Sequence, residues 1–423
     1  LRYATTGKRM ANWAISNTVS ASTAARARPS PCPRCAQEQT AGHRVMVVVS
    51  ALSGVTDLLL QLAGAHPGEA REDLLNELDA RHAALAQELG VETGSRFEEE
   101  RERLQVLLAH PDKELEGEAW LAELQSFGER LSSALGERIL ATLGQQPCVL
   151  DSAMDLLSVD TDASAGPLAA YCHEEADEAM AARLAAAGPL HITQGFVARG
   201  PRGRPWLLGR GGSDTSAALL AARLQARELQ IWTDVPGVFS ADPGIVPGAR
   251  LLRQLSYSEA QEFAAMGARV LHPPCIGPLR RHAIALSIRD TNHPQAEHTV
   301  VGPRSAQTEG LVKGVISRSG ITIINMESVA MWHQPGFLAD AFGVFKRHGV
   351  SVDLVSTSES SVTVSLDPRR PGRGPQRGLE ACLAELSTLC AVKVKTGLVA
   401  ISLVGNAIRT LLGRLSDALD IFE

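Results

Sequence analysis

The stretch Trp206–Gly244 constrains the fold of this 423-residue chain more than any other. A short apolar run, Trp206–Leu208, leads into a glycine cluster of Gly209, Gly211 and Gly212 that carries Arg210, Ser213 and Asp214. An alanine- and leucine-rich segment follows, then a second apolar run through Ile231 and Trp232 into Thr233, Asp234, Val235, Pro236 and Gly237. Strand, glycine turn, helix, strand and polar loop in this order make one βαβ unit of a parallel sheet. Glycines let the backbone come close to a ligand, and the helix N-terminus behind them attracts anions. Glycine turns also occur without any ligand. Arg210 and Asp214 sharpen the functional reading, because a cation and an anion at one turn can grip the carboxylate and the ammonium of one amino acid.

Similar units run through residues 44–300 and predict a three-layer αβα domain with a mostly parallel sheet. Arg44–Val49 reads as a strand buried on both faces. It ends in a turn of small hydroxyl residues, Ser50 to Thr56, which suits either a helix cap or ligand contacts. Residues 69–144 carry helical periodicity and many charges, the mark of solvated helix faces. Within them Glu129 follows Gly128, which reads as a carboxylate at a helix start on the surface. Cys148–Asp151 and Gly195–Ala198 are further strand candidates, and His272 before Pro273 reads as structural. A boundary falls near 302–310, where Gly, Pro, Ser and Gln cluster. Beyond it Ile321–Met326, Phe337–Arg347, Ser351–Ser356, Val362–Leu366, Arg377–Leu389 and Ala391–Lys395 follow the order βαββαβ, a ferredoxin-like module. Val399–Leu419 begins a second strand and helix.

Residues 1–42 read differently. They are rich in Ala, Arg, Ser, Thr and Pro and show no strand or helix period, so disorder or a reading-frame change upstream of about His43 is the expectation. Cys32 and Cys35 form a lone Cys-x-x-Cys without a second pair, too little for a zinc site, and no metal ligands are assigned. The seven cysteines are scattered through the chain and fit reduced thiols in a cytoplasm better than a disulfide framework. A formal charge of −6 gives no support to nucleic-acid binding, and no apolar run approaches the roughly 18 residues of a membrane span.

Four motifs in this order, Val49–Thr56, Gly209–Asp214, Trp232–Gly237 and Val270–Pro273, followed by a ferredoxin-like module, resemble the aspartokinases of the amino acid kinase family with their regulatory ACT domains. The segments Gly336–Phe342 and Ser351–Glu359 are similar to lysine-sensitive forms and to the kinase half of bifunctional aspartokinase/diaminopimelate decarboxylases. The resemblance implies an amino acid kinase domain at 43–303, an ACT domain at 311–397 and an incomplete second one at 398–423. It implies phosphorylation of L-aspartate by Mg2+-ATP. Arg210 would then hold the α-carboxylate, with Asp214 and Glu129 around the ammonium group. Ser50 and Thr56 would touch the substrate. Thr233, Asp234, Phe239 and Arg269 would face ATP, and Gly209, Gly211, Gly212 and Ser213 its phosphates. Lysine would bind where Met331, Gly336, Phe337, Leu338, Ser351, Val352, Asp353, Thr357, Ser358 and Glu359 converge across two ACT modules, in a homodimer.

The departures from the family pattern concern charge. The family's first strand ends in Lys-Phe-Gly-Gly-Thr-Ser, and its lysine meets the phosphates. Lys8, the only lysine in residues 1–42, lies in Thr6-Gly7-Lys8-Arg9, which is not that motif. Phe239 stands where a Tyr is common, Gly244 where an Arg is, and Arg269 where a Lys is. The alternative reading is a catalytically impaired protein that senses lysine. Another acyl-phosphate-forming kinase, such as a glutamate kinase, fits the glycine turn and the ACT segment less well.

Overall fold

A computed structural model describes residues 13–18, 42–109, 117–142, 148–268, 270–303, 312–327, 336–367 and 378–405. The chain divides into two compact units, the second being Val315–Leu403 and the first the remainder.

The first unit opens with strands β1 (Trp13–Thr18) and β2 (Arg44–Val49). Four helices follow: α1 (Val55–Gly64), α2 (Glu69–Glu88), α3 (Ser95–Ala109) and α4 (Glu118–Thr142). Next come β3 (Cys148–Asp151), the single turn α5 (Ala153–Leu156), the short strands β4 (Val159–Asp160) and β5 (Tyr171–Cys172), and α6 (Glu178–Ala187). Strands β6 (Leu190–Gln194), β7 (Val197–Arg199) and β8 (Pro205–Leu207) lead to α7 (Gly212–Arg223) and β9 (Glu228–Thr233). The unit continues through β10 (Gln254–Ser256), α8 (Tyr257–Met266), α9 (Pro273–Arg281), β11 (Ala285–Asp290) and β12 (Thr299–Gly302).

Its main sheet has the order β10-β12-β11-β9-β1-β2-β6-β3, and β11–β12 is its antiparallel pair. The mostly parallel sheet expected from the sequence is therefore present. Continuous apolar runs such as Val45–Val48 are buried, as strands covered on both faces require. The charged segment 69–109 is helical. Its apolar residues Leu78, Phe97 and Leu104 pack with Leu59 and Leu62 of α1 and with Leu124, Phe127 and Leu131 of α4. Burying each such side chain contributes about 1.5–3 kcal/mol.

One expectation fails here. The segment read as lacking any strand supplies β1, which lies in the middle of the sheet, parallel to β2 on one side and β9 on the other. Ile15 is fully buried in the core. Backbone pairing on both sides holds this strand, where the apolar pattern of its own sequence is too weak to announce it. The rest of residues 1–41, with Lys8 and the Cys32–Cys35 pair, lies outside the described residues.

The second unit contains β13 (Val312–Glu327, entering from the first unit), α10 (Phe337–Arg347), β14 (Leu354–Thr357), β15 (Ser361–Leu366), α11 (Leu379–Leu389) and β16 (Ala391–Gly405). The order β14-β15-β13-β16 with two helices is the ferredoxin-like arrangement. Ile324, Met326, Phe345, Val362, Val364 and Leu386 form its core. β13 is longer than the expected Ile321–Met326. β16 runs through both strands predicted at 391–395 and 399–404, with Gly397 at φ 71 inside it. The predicted helix at 407–419 lies outside the described residues.

Candidate active site

The carboxyl ends of β2, β6, β9 and β11 lie along one edge of the main sheet, where ligands of open α/β sheets bind. Ser50 directly follows β2, and the turn it opens ends at Gly54, φ 78, which caps α1. Thr56 lies in the first turn of α1, half-buried.

Glu129 meets this turn from α4. One carboxylate oxygen accepts the Ala51 N–H at 3.2 Å, and the other is buried with no hydrogen-bond partner in the structure. The residue is 4% exposed. Burial pushes its carboxyl from 4.5 up to about 8, against the smaller opposing effect of the Ala51 N–H. The reading of Glu129 as a surface group at a helix start is thus corrected: α4 runs straight through it. Gly128 is there for another reason. A Cβ on it would lie 2.8 Å from the Ala51 Cβ, so glycine lets the β2 turn rest on the helix.

The glycine turn forms as predicted. Gly209 and Gly211 have φ near 70, a conformation that favours glycine, and α7 begins at Gly212 with Asp214 in its first turn. A Cβ on Gly211 would run into the His272 ring, and one on Gly212 into Phe196. Close packing therefore demands glycine at both positions whatever ligand is present. Asp214 is buried and Arg210 exposed. Burial, reinforced by the Arg210 charge, lowers the His272 pKa. Burial, reinforced by Asp214, raises that of Cys275.

A dipeptide at the end of β6 links the β2 turn to the start of α7, the two segments expected to hold the substrate. The Gly195 N–H donates to the Val49 carbonyl at 2.8 Å, beside Ser50. A Cβ on Gly195 would stand 2.6 Å from that of Ser213, so α7 starts in contact with it. Phe196, the next residue, has φ 66. Such a strained backbone in a non-glycine residue concentrates at functional sites. The sequence reading placed Gly195–Ala198 in a strand and missed this turn; the Gly195-Phe196 pair after an apolar strand is the signal that was available.

The residues expected to face ATP begin at the end of β9, which lies two strands from β2, across β1. Thr233 ends β9, its hydroxyl donating to Asp234 at 3.0 Å and its carbonyl accepting from Thr291. Asp234 is exposed, and Phe239 pairs with Leu251 in an isolated bridge. Arg269 lies outside the described residues. Among the described residues no group of three or more His, Cys, Asp or Glu side chains is placed to hold a metal ion. No described helix is long and apolar enough to cross a membrane.

In the second unit, Gly336 caps α10 at φ 96, Phe337 is buried and Leu338 exposed. Ser351, Thr357, Ser358 and Glu359 are exposed, and Val352 half-buried. Asp353 departs from its expected setting. With Asp367 it flanks the buried Arg318, at 2.9 and 3.2 Å, so its carboxylate already answers a cation. Met331 lies outside the described residues.

Residues 21–290 match the Amino acid kinase family. Lysine-sensitive aspartokinase 3 of Escherichia coli is 36% identical over 382 residues, which span 89% of this chain and 84% of that protein. The chain belongs to the amino acid kinase family, among the aspartokinases. Chloroplastic aspartokinase 3 of Arabidopsis thaliana is 32% identical over 87% of this chain and 67% of its own length. Among solved structures, E. coli aspartokinase III in complex with aspartate and ADP superimposes with a TM-score of 0.77 at 31% identity, covering 95% of this chain and 90% of that one. Its complex with lysine and aspartate gives 0.73 at 30% identity, covering 95% and 91%. The family match begins after β1 and ends with β11, so β1 and β12 lie outside it.

Proposed function

We infer that this aspartokinase transfers the γ-phosphoryl group of ATP to the side-chain carboxylate of L-aspartate, giving 4-phospho-L-aspartate, and that lysine regulates it. The observation that carries this reading is the buried Glu129 carboxyl. One oxygen is held by the β2 turn and the other lacks a hydrogen-bond partner, in a chain that is similar over nearly its whole length to an enzyme solved with aspartate and ADP. An ammonium group supplies the cation and the donors that such a carboxylate lacks.

In this reading Arg210 grips the substrate α-carboxylate through its planar fork, while Glu129 and Asp214 take the ammonium. Ser50 and Thr56 hold the side-chain carboxylate, which is ionised at neutral pH and needs no general base. Catalysis then consists of aligning two anions and stabilising the charge of the transferring group. The turn of Gly209, Gly211, Gly212 and Ser213 at the start of α7 receives the phosphate oxygens, which the N-terminus of that helix supports. Thr233, Asp234, Phe239 and Arg269 receive the nucleotide, and Mg2+ enters with ATP to offset its charge. β1 contains no lysine. Loss of one such contact typically slows turnover by ~10²–10³. Lysine-dependent regulation without turnover is the second reading, raised by the composition of β1, and the likeness to aspartokinases over nearly the whole chain does not favour it.

For regulation, exposed Glu359 faces the effector ammonium directly, and Asp353 acts while paired with Arg318. The outer strands β14 and β16 expose Leu354, Val355, Val399 and Ile401. Such edges call for cover, which a second ACT module of a homodimer provides. Among the described residues the cysteines are free thiols, which suits a cytoplasmic protein.

ADP release measured with Mg-ATP and either aspartate or glutamate tests the assignment. Aspartate-dependent turnover supports it. No turnover at high enzyme concentration, with lysine binding seen by calorimetry, moves the conclusion to the second reading. Glutamate outcompeting aspartate overturns the substrate.

A further inference from the structure

We propose that Gln194 is a positioning residue for the aspartate subsite, holding the helix that carries Glu129 in register with the β2 turn and the start of α7. The proposal rests on the assignment of Glu129, Ser50 and Asp214 to that subsite.

Gln194 is the last residue of β6. Its side-chain nitrogen donates to the Ser133 hydroxyl at 2.7 Å, and its oxygen accepts the Ala153 N–H at 2.8 Å. Ser133 is fully buried and in turn donates to the Arg130 carbonyl at 3.0 Å. This relay leaves the Ser133 oxygen as acceptor for Gln194 and fixes which way the amide points. Ser133 lies one helical turn beyond Glu129 on α4. The backbone completes a ring: Gly195 N–H to Val49 carbonyl, Val49 through Ser50 to Ala51, and Ala51 N–H to Glu129. Gly195 also sets the seat of Ser213, next to Asp214.

Two links in the ring join α4 to the strand ends. One is the Glu129–Ala51 hydrogen bond, which must adjust when substrate binds. The other is Gln194–Ser133, which involves none of the residues assigned to the substrate. Gln194 therefore acts through Glu129. Displacements of the order of 1 Å at such a remove cost up to ~100-fold in catalysis.

The test compares Gln194→Met, close to isosteric but without either hydrogen bond, with Gln194→Glu, which keeps the acceptor for Ala153 and loses the donor to Ser133. Ser133→Ala and the double variant Gln194→Met/Ser133→Ala complete a cycle. The expected result is a rise of about tenfold in the aspartate KM for Gln194→Met, with the ATP KM within about twofold. Ser133→Ala and Gln194→Glu shift it in the same direction, and the double variant goes no further than Gln194→Met. Hydrogen exchange of the peptide spanning 49–56 should quicken in Gln194→Met, a readout that needs no turnover. A folded Gln194→Met protein with an unchanged aspartate KM, equal shifts for both substrates, or additive effects in the double variant overturns the proposal. If the wild-type protein shows no aspartate-dependent turnover, the functional assignment fails, and unchanged exchange at 49–56 then decides separately against Gln194.

Discussion

Replacing Glu129 with glutamine should make the protein more stable at neutral pH while weakening aspartate binding. The carboxyl is 4% exposed, and burial raises its pKa from 4.5 to about 8. An acid whose folded-state pKa exceeds its unfolded value takes up protons on folding. Its stabilising effect is complete below about pH 4.5 and is lost progressively as pH rises to about 8. One unit of pKa shift corresponds to about 1.4 kcal/mol, so at pH 7 the cost of keeping this group in its buried setting is roughly 3 kcal/mol. Glutamine has the same shape, accepts the Ala51 N–H through its amide oxygen and carries no charge at any pH. Stability changes of this size move Tm by about 2–4 °C per kcal/mol in domains of 150–250 residues. Thermal unfolding of both proteins from pH 5 to pH 8 measures the effect. The two curves should lie closest at pH 5 and separate progressively, by several degrees more at pH 8, with Glu129→Gln the more stable. Parallel pH profiles would refute the assignment of a buried, substrate-awaiting carboxyl. The aspartate KM of Glu129→Gln should rise by at least about tenfold, because one charge-assisted contact is worth about 1.5–3 kcal/mol.

Two further outcomes follow from the packing. Gly128→Ala places a methyl 2.8 Å from the Ala51 Cβ, so it should cost about 1–3 kcal/mol by denaturant unfolding and raise the aspartate KM as the β2 turn is pushed off α4. Asp151→Ala removes the carboxylate that faces the His191 Nδ1 at 2.6 Å. His191 is fully buried, so loss of this hydrogen bond should lower stability by about 1–3 kcal/mol and reduce Tm accordingly.

Much of this protein is legible in its sequence where the determinants are local. The βαβ unit around Gly209–Asp214 announces itself because apolar runs, positive-φ glycines and a helix lie next to one another. The ferredoxin-like unit is legible for the same reason, its periods changing between two and 3.6 over short spans. What escapes depends on partners distant in the chain. Trp13–Thr18 ends in Ser16, Asn17 and Thr18, a polar run no pattern marks as the middle of a sheet; β2 and β9 define it. Gly128 reads as a helix break because glycine disfavours helices, yet it serves the approach of Ala51, 77 residues earlier, and so hides the burial of Glu129. Gly211 and Gly212 read as phosphate contacts, but His272 and Phe196 alone would require them. Asp353 reads as an open carboxylate until β13 brings Arg318 against it.

The central claim is that Arg210 and the buried Glu129 seize one free amino acid beside the nucleotide. Aspartate titrations of ADP release, at fixed Mg-ATP, for the wild-type protein and Arg210→Ala test it most directly. Saturable aspartate dependence is expected in the wild type and an aspartate KM about ten- to hundredfold higher in the variant, with the ATP KM nearly unchanged. An aspartate KM that stays where it was in Arg210→Ala would contradict the claim.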